Sequence, residues 1–303
     1  MFDTIIIGAG PTGLTASIYA SRRMMKTLVI SKNIGGQIIW TSEIENYPGI
    51  KSIKGLKLAT DMLEQAKGFG VEISTGEVKK ITKQDNGNFL VDTGKAKYES
   101  KTIIIAMGLA PKSLGLPKEK ELVGRGISYC ANCDGQFFKG KTVAVIGGGN
   151  AALDAAEVMS KISSLVYLVY RKGKLKGFEI LIAKIINKSN IKIMLNCEVV
   201  EILGEQKLEK IKVKNNISQA VEELKINGLF VEIGHEPRTE IVADLVKRDS
   251  KGQIIVDLSG QTSFDGIFAA GDVTPCEFKQ IVVGCGQGAV AALSAYKYLQ
   301  GKQ

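Results

Sequence analysis

Apolar positions along this chain fall into two kinds of run, short unbroken β-branched stretches and longer stretches with helical spacing, and the two alternate. Residues 4–7 (TIII) form a β-branched run that ends in Gly8-Ala9-Gly10-Pro11-Thr12-Gly13. A helical apolar pattern through Leu14, Ile18 and Tyr19 follows, then a second run from Thr27 to Ile30. This reads as strand, glycine turn, helix, strand. The same order recurs from Thr142 to Ile146, through Gly147-Gly148-Gly149-Asn150-Ala151-Ala152 and a helix reaching Val158, to a strand from Leu165 to Val169. Two such units predict two nucleotide-binding domains of similar plan. The turn glycines permit a tight bend and let backbone N–H groups approach a pyrophosphate at a helix N-terminus.

Between the units, Lys101 to Ala106 (KTIIIA) reads as a buried strand, and Pro111 and Pro117 mark a boundary near 112–117. Beyond the second unit, strands are expected around Ile191–Met194, Glu198–Ile202, Ile211–Val213 and Gly228–Ile233, before Pro237 and Arg238 punctuate a second boundary. Residues 254–270 read as strand-rich and end at Ala269-Ala270-Gly271-Asp272, ahead of a helix from about Gly288 to Leu299. The expected fold is α/β, with two Rossmann-like three-layer dinucleotide-binding domains, the second inserted in the first. Residues 1–114 and 243–303 form the outer domain in this reading, and 115–242 the insert.

A length of 303 residues suits two domains. The 40 Lys+Arg against 31 Asp+Glu leave a net charge of +9, which favours acidic partners. Aromatic residues are 6% of the chain, no RNA- or DNA-reading motif is recognisable and the basic residues are spread thinly, so a nucleic-acid partner is not expected. An acidic protein or a phosphorylated cofactor fits better. No apolar run approaches the ~18–20 residues of a spanning helix, and MFDTIIIGAG has no basic region ahead of its apolar stretch. No membrane association and a cytoplasmic location are the expectations. Five cysteines are too few and too odd in number for a structural disulfide framework.

Two of those cysteines lie in Cys130-Ala131-Asn132-Cys133-Asp134. In a reducing compartment a CxxC is either half of a zinc site or a redox dithiol. Cys197, Cys276 and Cys285 are dispersed without a second pair, and the single imidazole, His235, has no neighbouring ligand pattern, so no metal site is expected. A dithiol needs one sulfur to attack an incoming disulfide and the other to resolve the mixed disulfide, and two intervening residues let that ring close. Asp134 is the adjacent proton carrier or a turn aspartate.

With these motifs in hand, the chain resembles the low-molecular-weight thioredoxin reductases over essentially its whole length. The signatures stand in the family's order: GAGPTG at 8–13, GGQ and then ENYPG within 35–49, CANCDG at 130–135, GGGNAA at 147–152, and AAGDV from 269 with KQ at 279–280. IGHEPRT at 233–239 resembles the family's return crossing into the first domain. The resemblance implies a two-segment flavin domain holding FAD and an inserted nicotinamide-type domain carrying the dithiol. Gly8, Gly10, Pro11, Thr12 and Gly13 would approach the FAD pyrophosphate, and Gly36, Gln37 and Asn46 would line the ribityl and ring region. Asp272 would hold a ribityl hydroxyl and Gln280 the ring edge, with Val78, Ala106, Gly108, Gly271, Lys279 and Ile281 completing the surroundings. By the same resemblance Cys133 is the thiol nearest the flavin, Cys130 attacks the protein substrate, and Asp134 shuttles the proton. Thioredoxin or a similar small dithiol protein is the implied acceptor. The resemblance also implies a homodimer and a rotation of one domain against the other about linkers near 112–117 and 238–244.

Several residues depart from the pattern. The acidic residue expected about 20 positions beyond the first glycine turn is missing, since the run Thr27–Ile30 ends at Ser31. NADPH-using members carry HRRxxxR after the second unit, where this chain has Tyr170-Arg171-Lys172-Gly173-Lys174-Leu175-Lys176. Lysine lacks the planar fork that grips a phosphate, so affinity for a 2′-phosphate should fall while positive charge remains. Gly147, Gly149, Asn150 and Ala152, with Arg171, Lys172 and Lys176, therefore form a site for NADPH or for an acidic partner. Some members of the family take electrons from reduced ferredoxin. The eroded motif and the +9 charge lean toward that donor, and the retained GGGNAA leans toward NADPH. A non-enzymatic FAD-binding redox sensor is the rival from another class. Lys279 stands where the family usually has Arg, and Met107 where Thr is common.

Overall fold

The stretch Phe2–Ala9 is extended because its branched side chains must be buried on both faces: Ile5 and Ile6 are wholly buried, and Ile7 nearly so. In the computed structural model, which describes residues 1–41 and 44–301, this strand lies between two parallel neighbours, Thr27–Ile34 and Lys97–Ile105. Glu72–Thr75 extends the sheet on one side and Ile267–Ala269 joins Lys97–Ile105, both parallel. An antiparallel pair, Phe89–Asp92 and Lys80–Lys83, completes the other side. Successive side chains point to opposite faces. Ile6 and Ile104 pack with the helices Pro11–Arg22, Gly55–Gly68 and Ile281–Gln300, whereas Ile5, Ile7, Ile103 and Ile105 pack with Val78, Phe89, Val242 and Ile254.

The second sheet repeats the plan. Thr142–Ile146 is central, with Leu165–Tyr170 and then Ile191–Leu195 parallel on one side, and Gly228–Val231 and then Ile127–Ser128 parallel on the other. One face is covered by the helix Asn150–Ile162, through Ala152, Leu153, Ala156 and Met159. The other packs on an antiparallel sheet of Cys197–Leu203, Lys210–Asn215 and Val221–Lys225. The α/β class and the insertion of the second unit into the first are as expected.

Three differences from the sequence reading have physical causes. The chain divides at 110/111 and 235/236, so the units are Met1–Ala110 with Glu236–Gln303, and Pro111–His235. The expected boundaries were 114/115 and 242/243. Lys112 N–H already bonds Gly234 O inside the insert, whereas Thr239 bonds Gly252 O and Val242 is buried in the outer domain. Residues 254–270 are mainly turns held by Asp257 and Thr262, with the single strand Ile267–Ala269. The last helix begins at Ile281 rather than near Gly288, because its first turns bring Gly284 and Gly288 against Thr12.

Candidate active site

In the outer domain, the first strand hands over to its helix through Gly8, Ala9 and Gly10, and the helix starts at Pro11 without a side-chain cap. Its N–H groups and its dipole's positive end point out of the turn. Gly8 (φ +107°) admits no side chain, since a Cβ would overlap the Ala106 carbonyl, and a Cβ on Gly13 would overlap the Gly8 carbonyl. Those two glycines serve the packing of strand against helix. Gly10 differs, because a Cβ there would meet only Gly36 Cα, at 3.9 Å. Gly10 and Gly36 (φ +59°) thus leave a backbone-lined space above a helix N-terminus, and this fits the pyrophosphate of a dinucleotide.

The other expected flavin residues gather in the same unit. Gln37 Nε2 donates to Leu109 O at 2.8 Å, and Asn46 Nδ2 donates to Gln280 Oε1 at 3.1 Å across 234 positions of chain. Gly271 (φ +78°) lies on the Thr12 side chain, and its N–H donates to Gln287 Oε1 at 2.8 Å. Lys279 Nζ donates to Asp272 O and Thr274 O at 3.0 and 2.7 Å, and partial burial holds this ammonium below its usual range against the pull of the Asp272 carboxylate. Val78 and Ala106 are buried, Ile281 is partly buried, and Gly108 (φ +63°) faces open space. At the end of the strand Thr27–Ile34, Ser31 Oγ bonds Asn33 O, in the place where an acidic residue is absent. Gln253, which bonds Thr274 O at 2.7 Å, and Gln287 support this site, but nothing in their local sequence distinguishes them from loop and helix glutamines.

In the insert, Cys130 and Cys133 are disulfide-bonded, with Cα atoms 5.4 Å apart. Cys130 caps the short helix Ala131–Asp134, and its Sγ accepts the Cys133 N–H at 3.1 Å. Ser128, absent from the sequence-based candidates, donates to Asp134 Oδ2 at 2.7 Å and accepts from Cys130 N–H at 3.0 Å. It terminates the edge strand Ile127–Ser128, so the parallel sheet fixes it and it in turn fixes both ends of the CxxCD segment. A second buried anchor is Glu119, whose carboxylate accepts from Leu114 N–H, Gly115 N–H and the Tyr129 hydroxyl at 2.7–2.8 Å. It ties the start of the insert to the residue before Cys130. Of the remaining thiols, Cys197 and Cys285 are buried, which pushes both up, and Cys276 is half-buried.

The second glycine turn is more enclosed than the first. A Cβ at Gly147 (φ +141°) would overlap Glu232 O, and one at Gly148 would overlap the Tyr170 ring. Lys176 N–H bonds Gly148 O at 2.7 Å, and Asn150 Oδ1 accepts Phe178 N–H at 2.8 Å. Gly149 is open and Ala152 is wholly buried. The loop after Tyr170 is therefore folded back on the turn. It brings Lys172 beside Lys176, whose charge holds the Lys172 ammonium below its usual range, with Arg171 adding a smaller effect.

Comparison with known proteins fixes the family. Residues 2–294 match the pyridine nucleotide-disulphide oxidoreductase family. The chain belongs to that family. It is 39% identical to the thioredoxin reductase of Bacillus subtilis (strain 168), over 99% of this chain and 95% of that protein. The bifunctional thioredoxin reductase/thioredoxin of Mycobacterium leprae is 37% identical over 98% of this chain, which spans 66% of that protein. Among solved structures, Lactococcus lactis thioredoxin reductase aligns with a TM-score of 0.90 at 38% identity, covering 99% of this chain and 100% of that one. A ferredoxin-flavin thioredoxin reductase from Clostridium acetobutylicum aligns with a TM-score of 0.54 at 32% identity, covering 99% and 98%. The chain is a low-molecular-weight member of the thioredoxin reductase family and an FAD-dependent disulfide oxidoreductase. Among the described residues, no helix is long and apolar enough to cross a membrane.

Proposed function

We propose that this enzyme reduces the disulfide of a thioredoxin, or of a similar small dithiol protein, through Cys130 and Cys133. The observation that carries the reading is the disulfide with Cys133 N–H on Cys130 Sγ and Asp134 held by Ser128. FAD, when bound, supplies the two electrons that open this disulfide. The reduced Cys130 thiolate, steadied by the Cys133 N–H, attacks one sulfur of the substrate disulfide. A mixed disulfide forms and the substrate's other sulfur leaves as a thiolate. Cys133 then attacks Cys130 Sγ, the enzyme disulfide reforms, and the substrate departs with two more electrons and, after protonation, two more protons. Asp134 supplies or receives a proton at the sulfurs. Gly10, Pro11, Thr12, Gly36, Gln37, Asn46, Asp272 and Gln280 hold the cofactor in this reading, and Gly8 and Gly13, packed against the neighbouring backbone, shape the turn that does so. The enzyme acts in the cytoplasm as a homodimer, as the resemblance to its family implies.

For the electron donor, the reading is an acidic one-electron carrier protein of the ferredoxin type. Support comes from the chain's own loop on Gly148 and from Lys172 and Lys176 where two of the motif's three phosphate-gripping arginines would stand, Arg171 alone being kept. NADPH is the second reading, favoured by the crowding of Lys172 on Lys176, which an anionic 2′-phosphate would relieve. Anaerobic titration of the oxidised enzyme with NADPH, NADH and then reduced ferredoxin, followed by flavin absorbance, separates the two. Bleaching by ferredoxin alone is expected, and rapid bleaching by NADPH would transfer the reading to the second donor. Charge reversal at Lys172, Lys174 and Lys176 should slow turnover with the carrier protein. A flavin that is reduced yet never passes electrons to thioredoxin would make the protein a redox sensor instead.

A further inference from the structure

A dinucleotide enters a domain of this kind at the carboxyl ends of the parallel strands, where the chain switches from one side of the central strand to the other. In the insert that point lies between Thr142–Ile146 and Gly228–Val231, and Glu232 is the first residue beyond it. Its N–H bonds Ile146 O at 2.8 Å and its carbonyl lies directly on Gly147, so its backbone is part of the glycine turn itself. Asp154 stands one helical turn beyond Asn150, on the helix whose N-terminus would receive the pyrophosphate. The Asp154 charge acts on the Glu232 carboxyl. On the same helix Glu157 is answered by Lys161 at 2.9 Å, while Lys184, from the helix Glu179–Ile186, acts on both Asp154 and Glu157.

We infer that Glu232, together with Asp154, determines whether the insert admits a dinucleotide, by placing carboxylate charge where the pyrophosphate must approach the Gly147–Asn150 turn. The glycines alone would favour that anion; the two carboxylates oppose it. Burial, and after it the Asp154 charge, push the Glu232 carboxyl up to about 7, so its charge changes within the ordinary working range of an enzyme. Nucleotide affinity then depends on pH, being strongest where Glu232 is protonated. The inference concerns binding to the insert and stands apart from the choice of donor.

The test is calorimetric titration of the flavin-loaded enzyme with NAD+, whose pyrophosphate does not titrate near neutrality, at pH values one unit either side of the Glu232 midpoint of about 7. Wild-type enzyme is expected to bind at least about fivefold more tightly at the lower pH. Glu232→Gln should show the tighter affinity at both, Asp154→Asn should tighten binding mainly at the higher pH, and Glu232→Asp should keep the pH dependence. Equal affinity at the two pH values in wild type, no gain in Glu232→Gln, or no binding by any of these proteins would each overturn the inference. Flavin content and the count of thiols released on reduction serve as folding controls. Reduction of the flavin by ferredoxin, measured in the same samples, reports on the donor reading separately.

Discussion

Ser128 donates its hydroxyl proton to Asp134 Oδ2 at 2.7 Å while accepting the Cys130 N–H at 3.0 Å. One buried hydroxyl therefore fixes both Asp134, the proposed proton carrier, and the backbone of the first cysteine. A general acid contributes roughly 10²–10⁴-fold when correctly placed, so Asp134→Asn should lower kcat for thioredoxin reduction by about 10²-fold. Ser128→Ala leaves Asp134 present but unheld, and a loss of about tenfold is expected, with a displaced pH–rate profile and unchanged flavin content. Ser128→Thr, which keeps the hydroxyl, should restore most of the rate. An unaltered pH profile in Ser128→Ala would show that Ser128 only supports the fold.

The hydrogen bond from Cys133 N–H to Cys130 Sγ distinguishes the two sulfurs and supports the proposed division of tasks, Cys130 attacking the substrate and Cys133 resolving. A sulfur that accepts an N–H is the better stabilised thiolate. Cys133→Ser retains the backbone N–H and removes the resolving sulfur, so this variant, mixed with oxidised thioredoxin, should accumulate a covalent mixed disulfide. Cys130→Ser should trap little. Mass spectrometry of non-reduced samples checks the difference, and preferential trapping by Cys130→Ser would exchange the roles.

The parts of this molecule that were legible in its sequence are those where one local pattern has one physical solution. A β-branched run ending in Gly8-Ala9-Gly10 must turn into a helix, and Cys130 and Cys133 at that spacing in a chain with no second pair act together. Residues 254–270 misled, because their apolar positions match a strand's while Asp257 and Thr262 bind the backbone into turns, a competition that alternation alone does not reveal. The helix Gly55–Gly68 is missing from the sequence reading although Leu58, Ala59, Met62 and Ala66 recur at helical spacing and form its buried face. Ser128, Gln253 and Glu232 were not legible either. Ser128 acts on Asp134 within one loop and short helix, Gln253 on Thr274 and Glu232 on Gly147 from farther along the chain, and no local pattern in the sequence marks any of these pairings.

Gly10 and Gly13 stand three residues apart in one turn yet should respond differently to the same substitution. In Gly13→Ala the new methyl overlaps the Gly8 carbonyl, a backbone atom that cannot move without opening the strand–helix junction. That variant should lose both stability and flavin. Gly10→Ala has room, since Gly36 Cα at 3.9 Å is its nearest neighbour, and the apo protein should melt within a few degrees of wild type. Its methyl instead occupies the space assigned to the pyrophosphate, so FAD affinity should fall by at least tenfold. Thermal melting with and without added FAD separates the two effects, and full flavin retention in Gly10→Ala would remove the cofactor from this face of the turn.

Glu232 also predicts how stability varies with pH. Its carboxyl is raised from 4.5 to about 7, first by burial and then by Asp154. The folded protein therefore holds this proton more tightly than the unfolded chain. That contribution is fully present below the unfolded value of 4.5, declines as pH rises and is gone once pH has passed about 7. A shift of this size corresponds to at most about 3 kcal/mol, less where solvent reaches the group. Glu232→Gln removes the titration. The variant's unfolding free energy, relative to wild type, should rise between pH 4.5 and pH 7 and level off above that, as measured by denaturant titration across the range. A constant difference across that interval would place Glu232 in solvent, and with it would go the reason for the insert to bind nucleotide more tightly in acid.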